Sequence, residues 1–366
     1  MSGNTIGERF RLMTFGESHG KCVGAVIEGC PAGLPLAEND VQPELDLRKP
    51  GQSIVSSQRM EEDQVEIMSG VFNGLTTGAP IMMMIRNVDK DSRPYEAISS
   101  TPRPGHADFV ANAKYGGFND YRGGGRFSGR ITASFVMGGA VAKKLLRKRL
   151  GVEVVAYSLE IGGIRASGFA FEDAAKNRYA NEVRAPTPDS AEAMRRKIIE
   201  TRGKGNSLGG VVECVCTNVP VGLGEPVFGS LDSDLARFML SIPAVKGVEF
   251  GSGFASTRMT GLENNDPYIL EGEKVSTRTN NAGGILGGLS NGMPIVFRVA
   301  FKPASSIASK QATIDTRSGK QVDLVVPGRH DPTVVPRAVP VVEGSAALVL
   351  ADHALRAGLV PPVLKE

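Results

Sequence analysis

The order of strand-like and helix-like segments is the feature that most constrains the fold of this chain. Apolar runs rich in valine and isoleucine, typical of strands, lie at residues 23–27, 81–85, 152–156, 211–219 and 295–301. Helical patterns lie at residues 132–150, 189–202, 231–240 and 341–355. Because the two kinds of segment do not alternate regularly, and no repeat period is visible, we predict an α+β fold rather than a doubly wound parallel sheet.

Two of the helical segments carry more specific signals. The segment 189–202 begins with Asp189 and Glu192, which are spaced as in a capping box, and it ends before Gly203. The segment 341–355 is apolar on almost all sides, so we predict that it is a buried core helix.

The chain shows no stretch that resembles an interdomain linker. Its 366 residues would allow one large domain or two smaller ones. The glycine-rich segments 116–130, 203–210 and 283–292 lie between structured runs, and the 45 Gly and 22 Pro indicate many loops. We therefore predict a single domain over residues 1–366 with long functional loops.

The charge of the chain is nearly balanced. Lys and Arg number 42 and Asp and Glu 39, a formal net charge of +3 that excludes a surface built as a whole to bind nucleic acid or acidic membrane. Anion binding must then come from local clusters.

Residues 1–10 lack a signal-peptide core, and we find no window of about 18 uninterrupted apolar residues, so we expect a soluble, cytoplasmic protein.

The four cysteines, Cys22, Cys30, Cys214 and Cys216, show neither a CxxC pair nor histidines at zinc-ligand spacing. Cys214 and Cys216 lie two apart in a strand-like run, so their side chains would point to one face. We predict buried reduced thiols and, since acidic clusters are also absent, no metal site.

Two loops place an arginine beside a histidine. One is Arg103-Pro104-Gly105-His106-Ala107-Asp108 and the other is Gly328-Arg329-His330-Asp331-Pro332. Proline and glycine exclude regular helix from both. Arginine holds an oxyanion through two hydrogen bonds and histidine titrates near neutral pH, so the combination suits anion binding coupled to proton transfer. Solvated surface loops are the alternative.

A third loop, Tyr121-Arg122-Gly123-Gly124-Gly125-Arg126-Phe127-Ser128-Gly129-Arg130, combines glycine with positive charge. Three consecutive glycines allow backbone N–H groups to approach a ligand closely, and three arginines within nine residues favour phosphate. The helical segment 132–150 follows, and its N-terminus would add a favourable dipole. A flexible hinge is the alternative, which the arginines argue against.

Further anion-binding groups lie elsewhere in the chain. Lys302-Pro303-Ala304-Ser305-Ser306 follows a strand-like run, and Arg48 and Arg59 add positive charge. At least five separated segments thus offer such groups in a nearly neutral chain, which favours one focused basic pocket. No G-x-G-x-x-G is completed and no P-loop occurs, so neither common nucleotide motif applies.

The pentapeptide Gly16-Glu17-Ser18-His19-Gly20 satisfies the G-x-S-x-G pattern of serine hydrolases, and Ser18, Asp331 and His353 follow the order of a hydrolase triad. Only 17 residues precede Ser18, however, whereas a nucleophile elbow follows several strands of a sheet. His353 lies inside an apolar segment, where a packed histidine is expected. A serine hydrolase stays an alternative, as does a protein that binds flavin or polyanions without catalysis.

Taken together, these segments resemble chorismate synthase. The likeness runs from Gly3 to Asp352. Six blocks occur in the family's order, at residues 15–20, 103–108, 123–130, 283–288, 302–306 and 328–335. The resemblance implies a lyase of the shikimate pathway of aromatic amino acid biosynthesis. Its reaction would be 1,4-trans elimination of phosphate from 5-enolpyruvylshikimate 3-phosphate to give chorismate, which requires reduced FMN (FMNH2) without net redox change.

The resemblance also implies roles for individual residues. His19 would act as general acid near the departing phosphate, and His106 would protonate or polarise the flavin near N1. Asp331, with Ser18 and Ser128, would relay the proton that leaves substrate C6. Substrate anions would be bound by Arg48, Arg59, Arg103, Arg130 and Arg329. The flavin would be held by Arg126, Phe127, Ser128, Pro243, Ala244, Gly287, Lys302, Pro303, Ala304, Ser305, Ser306 and Arg329.

Chorismate synthases are β-α-β sandwiches, with helices between antiparallel sheets, assembled as homotetramers, and the resemblance implies the same here. Four positions depart from the commonest family pattern: Ile54 and Met60 where arginine is frequent, Phe127 where serine is, and Pro243 where asparagine is. Some members reduce their flavin with NADPH. This chain shows no obvious nicotinamide motif or added reductase domain, so we expect an external source of reduced FMN.

Overall fold

The fold contains two main antiparallel sheets. The computed structural model describes residues 3–51, 55, 62–88, 92–97, 99–326, 328 and 330–365. The strands are β1 (Thr5–Ile6), β2 (Arg11–Gly16), β3 (Cys22–Glu28), β4 (Val65–Ile67), β5 (Val71–Phe72), β6 (Leu75–Thr76), β7 (Ile81–Arg86), β8 (Glu153–Ile161), β9 (Ile164–Arg165), β10 (Gly210–Thr217), β11 (Val245–Phe250), β12 (Tyr268–Glu271), β13 (Lys274–Thr277), β14 (Ile285–Leu286), β15 (Leu289–Ser290), β16 (Ile295–Phe301), β17 (Gln311–Asp315) and β18 (Lys320–Leu324). The helices are α1 (Glu38–Arg48), α2 (Arg93–Ala97), α3 (Asp108–Tyr115), α4 (Thr132–Leu150), α5 (Phe171–Asn177), α6 (Pro188–Gly203), α7 (Leu231–Met239), α8 (Gly261–Asn264) and α9 (Val335–Arg356).

Each of the two main sheets has five strands, ordered β1-β2-β3-β7-β4 in the first and β11-β16-β10-β8-β9 in the second. Neighbouring strands are antiparallel, so that Val23 of β3 pairs with Ile85 of β7, and Cys214 of β10 pairs with Phe297 of β16. In β7 the side chains at 81, 83 and 85 are buried, whereas those at 82 and 84 are half-buried. This period of two directs one face of the first sheet toward the core.

Helices α4 and α9 fill the space between the sheets. Helix α4 packs on β2 and β3 of the first sheet, α9 packs on β8 and β10 of the second, and the two helices pack against each other. They cross closely at two glycines, because a Cβ on Gly139 would lie 2.2 Å from Cα of Gly344. One hydrophobic core runs from Phe10 to Leu364 through both sheets and these helices. The predicted α+β fold, a β-α-β sandwich with helices between antiparallel sheets, is confirmed.

A buried ion cluster joins the helix layer to the second sheet. The fully buried carboxylate of Glu343 in α9 accepts hydrogen bonds from Lys143 of α4 at 2.9 Å and from Arg178 at 3.1 Å. The backbone N–H of Ala156 in β8 donates to it at 2.9 Å. Burial raises the pKa of Glu343, but Lys143 and Arg178 outweigh burial and hold that pKa below its usual value. The cluster therefore fixes α4, α9 and β8 relative to one another.

Some predicted segments match the observed helices and strands from end to end, and others differ at one end. The segments 132–150 and 295–301 coincide with α4 and β16. Helix α6, by contrast, is capped by Thr187, whose side-chain oxygen accepts a backbone N–H of the first turn at 3.2 Å. The predicted capping box of Asp189 and Glu192 is wrong, because the helix begins at a Thr-Pro pair, where proline needs no N–H partner.

Helix α9 is longer than its pattern predicts. It begins at Val335 rather than at residue 341, with Pro336 in its first turn and Pro340 inside the helix. Proline is tolerated in a first turn, but it conceals the start of a helix from a pattern search. By length and composition α9 could cross a membrane, yet 94% of its apolar window is buried inside the protein. It is the buried core helix that the sequence predicts.

All four cysteines are free thiols. Cys30, Cys214 and Cys216 are buried, whereas Cys22 is half-buried. Burial raises the pKa of the Cys30 thiol to about 12. The predicted buried, reduced state is confirmed for three of the four.

Candidate active site

A cavity of about 530 Å³ lies where loops from distant parts of the chain meet. Its walls come from the end of α1, from α2, from the segments 103–107 and 123–130, from the loop between α7 and β11, and from the start of α9. This volume lies within the range of small-molecule sites. The predicted site residues that line the cavity are Arg48, Arg103, His106, Arg126, Phe127, Ser128, Arg130, Pro243, Ala244, Lys302, Ala304, Ser305, Ser306 and Asp331.

Some predicted site residues lie elsewhere. Ser18 and His19 are buried directly behind Gly123, which itself lines the cavity. Pro303 is exposed, and Gly287 is exposed in the turn between β14 and β15. Outside the described residues lie Arg59 and Arg329, and also the departures Ile54 and Met60.

The glycine loop, residues 122–130, passes between two imidazoles. Gly123, Gly124 and Gly125 have φ values of 60°, 84° and 51°, which favour glycine. A Cβ on Gly123 would lie 2.2 Å from Cδ2 of His19, and one on Gly124 would lie 2.9 Å from Cε1 of His106. The glycines therefore allow the backbone to approach both imidazole rings. The three-glycine pattern predicts a close approach of this backbone to a ligand; the described contacts are with the two histidines.

His19 is also contacted by Tyr95 of α2 and by Ser92, which precedes that helix. Its Nδ1 lies 2.9 Å from the hydroxyl of Ser92, and its ring meets the edge of Tyr95 with centroids 5.1 Å apart. The guanidinium of Arg103 lies 5.6 Å from the centroid of the same tyrosine. Tyr95 thus joins the surroundings of His19 to those of His106.

His106 belongs to a hydrogen-bonded group with Arg103 and Asp108. Its Nδ1 lies 2.6 Å from Oδ1 of Asp108, and Arg103 donates to both carboxylate oxygens at 2.7 Å. Burial raises the pKa of Asp108, but the hydrogen bonds from Arg103 and His106 outweigh it and hold that pKa well below its usual range. Asp108 is therefore a carboxylate at neutral pH.

Arg48 and Arg130 are held side by side by one buried carboxylate. The two oxygens of Asp63 accept hydrogen bonds from Arg48 at 3.2 Å and from Arg130 at 2.5 Å. Arg48 also donates to the hydroxyl of Thr132 at 3.2 Å and to the carbonyl of Gly129 at 2.8 Å. Asp63 has a φ of 49°, a conformation that costs energy for a residue other than glycine and that the surrounding bonds stabilise.

Arg337, in the first turn of α9, is the third guanidinium at this part of the wall. It donates to the carbonyl of Arg48 at 3.2 Å and to Asp331 at 2.5 Å. Burial, followed by repulsion from Arg337, lowers the pKa of Arg48 to about 9, so Arg48 is still a cation at neutral pH.

The balance of charge around these residues favours an anion. Three guanidiniums, of Arg48, Arg130 and Arg337, contact two carboxylates, of Asp63 and Asp331. Among these five described residues, positive charges outnumber negative ones by one, in a largely buried part of the wall. A phosphate or carboxylate placed there would gain charge-assisted hydrogen bonds and relieve the mutual repulsion of the arginines.

Lysines line another part of the cavity. The ammonium group of Lys302 donates to the carbonyl of Gly105 at 2.9 Å. Burial, and then the nearby charge of Lys246, lowers the pKa of Lys302. The hydroxyl of Ser306 accepts a hydrogen bond from Arg103 at 3.0 Å, which connects this part of the wall to the His106 group.

Arg126 lines the cavity, but its guanidinium is bonded to the opposite side. It donates to the carbonyl of Gly16 at 2.9 Å, to Asn4 at 2.9 Å and to the hydroxyl of Thr14 at 2.6 Å. These bonds tie the glycine loop to β2 and so help to place it between the imidazoles. A contact of Arg126 with a flavin stays a prediction.

Sequence reasoning missed Asp63, Asp108, Lys246 and Arg337 as members of the site. Arg337 has a detectable signal, since it is the one charged residue among the first eight residues of α9. Asp63 has no local signal, because its importance comes from two arginines that lie 15 and 67 residues away in the chain.

The hydrolase alternative is not supported by the positions of its residues. Nε2 of His353 is 3.0 Å from Asp234, and Asp331 is paired with Arg337. Ser18 is buried behind the glycine loop. The imidazole and the carboxylate that would activate this serine are thus engaged elsewhere, and no triad forms among these described residues.

Comparisons with known proteins agree along nearly the whole chain. The family model described as chorismate synthase matches residues 10–355. A chorismate synthase of Korarchaeum cryptofilum (strain OPF8) is 58% identical over 356 residues, which are 97% of this chain and 98% of that protein. A chorismate synthase of Methanosarcina mazei is 52% identical over 362 residues and covers 99% of both chains.

A comparison of folds identifies the same family. A crystal structure of a chorismate synthase superimposes with a TM-score of 0.75 and 34% sequence identity, covering 96% of this chain and 93% of the other. With the family model, the sequence relatives and the fold in agreement, the chain belongs to the chorismate synthase family of lyases.

Proposed function

We propose that this chain eliminates phosphate from 5-enolpyruvylshikimate 3-phosphate to give chorismate, a 1,4-trans elimination, with reduced FMN bound beside the substrate. The observation that carries the proposal is the convergence of Arg48, Arg103, Arg130 and Lys302 on one cavity that also contains His106. Those residues come from four separate stretches of a chain whose net charge is only +3. A substrate with one phosphate and two carboxylates, together with a phosphorylated cofactor, needs such a concentration of cations.

The residues of the cavity suit a flavin mononucleotide. Phe127 is 37% exposed and offers an aromatic surface for a planar ring system. Ala244 has a φ of 74°, an unusual conformation in a loop of the wall, and Ser305 and Lys302 offer a hydroxyl and a cation for a phosphate. When bound, reduced FMN would supply the electron density that assists cleavage of the carbon–oxygen bond. Pro243, Ala304 and Ser306 complete the set of lining residues that would hold it.

The arginine cluster would bind the anions of the substrate. Arg48 and Arg130 share Asp63 as their partner, so their guanidiniums are oriented before any ligand arrives. Preorganised donors of this kind bind an anion without losing further side-chain entropy. Arg337 would add the third cation, and Arg329, which lies outside the described residues, would add a fourth.

Two imidazoles would handle protons in this reaction. His106 lines the cavity and would accept a proton next to the flavin and return it. His19 would be the general acid for the departing phosphate, and Gly123 in front of it has no side chain to screen its ring. Asp331 and Ser128 line the same cavity, and with Ser18 they would relay the proton lost by the substrate.

An anaerobic assay tests the proposal. The protein is mixed with reduced FMN and 5-enolpyruvylshikimate 3-phosphate, and inorganic phosphate and chorismate are measured together. We expect both products in equal amounts. Binding of either ligand without release of phosphate would instead identify a non-catalytic flavin or polyanion binder and would refute the lyase proposal.

The source of reducing equivalents is a separate question. We propose that reduced FMN comes from outside the protein. In an anaerobic reaction with oxidised FMN and NADPH, but no flavin reductase, we expect no chorismate. Turnover under those conditions would show that the chain reduces its own flavin.

We also propose a homotetramer in the cytoplasm. The side chains of Phe118, Phe228 and Leu262 are 95%, 96% and 94% exposed, and large apolar groups at the surface favour burial in an assembly. Sedimentation velocity should give about four times the 38.7 kDa mass of one chain. A species of one chain mass at micromolar concentration would contradict the assembly.

A further inference from the structure

The hydrogen bond between His106 and Asp108 bears on the position of the ring and on which of its nitrogens carries the proton. Nδ1 of His106 lies 2.6 Å from Oδ1 of Asp108, while the other side of the ring faces the glycine loop. A Cβ on Gly124 would lie 3.1 Å from Nε2. We propose that Asp108 is a positioning residue that keeps neutral His106 in the tautomer protonated at Nδ1, which leaves the Nε2 lone pair facing the glycine loop. The use of that lone pair in turnover rests on the proposed function.

The carboxylate of Asp108 accepts several hydrogen bonds from Arg103 alone. Asp108 accepts from the backbone N–H of Arg103 at 3.0 Å, from its Nε at 2.7 Å and from its terminal nitrogen at 2.7 Å. Three charge-assisted or backbone donors stabilise the ionised form, and the pKa of Asp108 is accordingly held well below its usual range. An ionised carboxylate has only acceptors, so a short contact with it requires a donor.

The ionised carboxylate of Asp108 also excludes the other tautomer of His106. Without a proton on Nδ1, its lone pair would face the carboxylate oxygen at 2.6 Å, and the contact would be repulsive. A terminal nitrogen of Arg103 lies 3.1 Å from Nδ1 and 3.4 Å from Nε2, but its shorter hydrogen bond, at 2.7 Å, goes to Oδ1 of Asp108. Arg103 therefore donates to Asp108, and His106 donates its Nδ1 proton to the same carboxylate.

The chain contains a matched control. His353 also contacts an aspartate, Asp234, but it does so through Nε2 at 3.0 Å. Nε2 of His353 therefore carries the proton, which is the opposite tautomer, with a bare Nδ1. His353 lies in the core helix α9, it does not line the cavity, and neither does Asp234.

The substitution Asp108→Asn should reverse the tautomer of His106. Two donors of Arg103 bind Oδ2 and only one binds Oδ1, so the amide oxygen is expected at the Oδ2 position and the amide nitrogen faces the ring. An amide N–H would then donate to Nδ1, and the ring proton would move to Nε2. A reversal of this kind in a serine protease triad lowers turnover by about 10⁴-fold while the geometry is kept.

The test uses histidine labelled with ¹⁵N at Nδ1 alone and solid-state NMR of the whole protein at about pH 8.5, above the usual imidazole pKa. The chain has only four histidines, and His106→Gln identifies the signal of His106. We expect a protonated Nδ1 for His106 and an unprotonated Nδ1 for His353. In Asp108→Asn the His106 signal should become unprotonated, while that of His353 stays unchanged and reports an intact fold. A bare Nδ1 on His106 in the unaltered protein would overturn the proposal, even if the variant does not fold.

Turnover supplies the second readout. Asp108→Asn should lower it by about 10²–10⁴-fold, the range for a lost acid–base group, whereas Asp234→Asn should leave it unchanged. A reversed tautomer with normal turnover would refute the positioning role. If the spectra are as expected but the unaltered protein forms no chorismate, the proposed function fails and the tautomer assignment stands.

Discussion

The position of Gly123 between the cavity and His19 gives the sharpest prediction. The substitution Gly123→Ala places a Cβ 2.2 Å from Cδ2 and 2.5 Å from Nε2 of His19. Carbon atoms in contact are about 3.5 Å apart, so the imidazole must move by about 1.3 Å or the loop must move instead. Displacements near 1 Å in a catalytic group lower turnover by about 10²-fold.

A second cost of Gly123→Ala comes from the backbone. Gly123 has a φ of 60°, and a left-handed conformation costs alanine about 1 kcal/mol. Gly151, which ends α4 with a φ of 66°, shares that cost, but a Cβ there meets nothing within 4 Å. Gly151→Ala is therefore the matched control for the backbone effect alone.

The assay combines turnover with urea unfolding of both variants. We expect Gly151→Ala to lower the free energy of unfolding by about 1 kcal/mol and to leave turnover unchanged. We expect Gly123→Ala to lose at least as much stability and about 10²-fold in turnover. Equal turnover in Gly123→Ala and the unaltered protein, with equal stability losses in the two variants, would refute the close approach of this loop to His19.

Three further predictions concern charges and protons. His19→Ala and His106→Ala should each lower turnover by about 10²–10⁴-fold while both variants stay folded, and near-normal turnover in both would remove their roles. Asp63→Asn should lower the free energy of unfolding by about 3 kcal/mol, because two buried guanidiniums lose their shared charge; a loss below about 0.5 kcal/mol would contradict that bridge. Glu343→Gln should lose a similar amount at pH 7, since Lys143 and Arg178 both lose their fully buried anion and Lys143 keeps only Glu44. Because the pKa of Glu343 is depressed from 4.5, its contribution is complete above that pH and is lost as pH falls through the lower folded value. The stability gap between the two proteins should therefore shrink below about pH 4.5, and a gap independent of pH would contradict the depressed pKa.

Much of the fold is predictable from local sequence, for a physical reason. Strands such as β16 are buried apolar runs of β-branched and aromatic residues, and α4 combines a long apolar pattern with Gly151 as its C-cap. The errors arise at the starts of two helices, α6 and α9. Thr187 caps α6 ahead of the expected acidic pair, and prolines in α9 conceal its first turns.

The candidate site was predictable in its parts but not in its connections. Arginine and histidine next to glycine or proline identify the loops, because their chemistry is local to a few residues. The bond from Arg337 to the carbonyl of Arg48 joins positions 289 residues apart, and no local pattern contains that pairing. The bridging role of Asp63 depends in the same way on how the chain folds back on itself.

The central claim is that one cavity binds both the flavin and the phosphorylated substrate. A crystal structure of the protein with oxidised FMN and 5-enolpyruvylshikimate 3-phosphate tests it most directly. We predict that both ligands occupy the 530 Å³ cavity, with substrate anions on Arg48 and Arg130 and the flavin beside His106 and Lys302. A flavin bound on another surface, with this cavity empty of both ligands, would contradict the account.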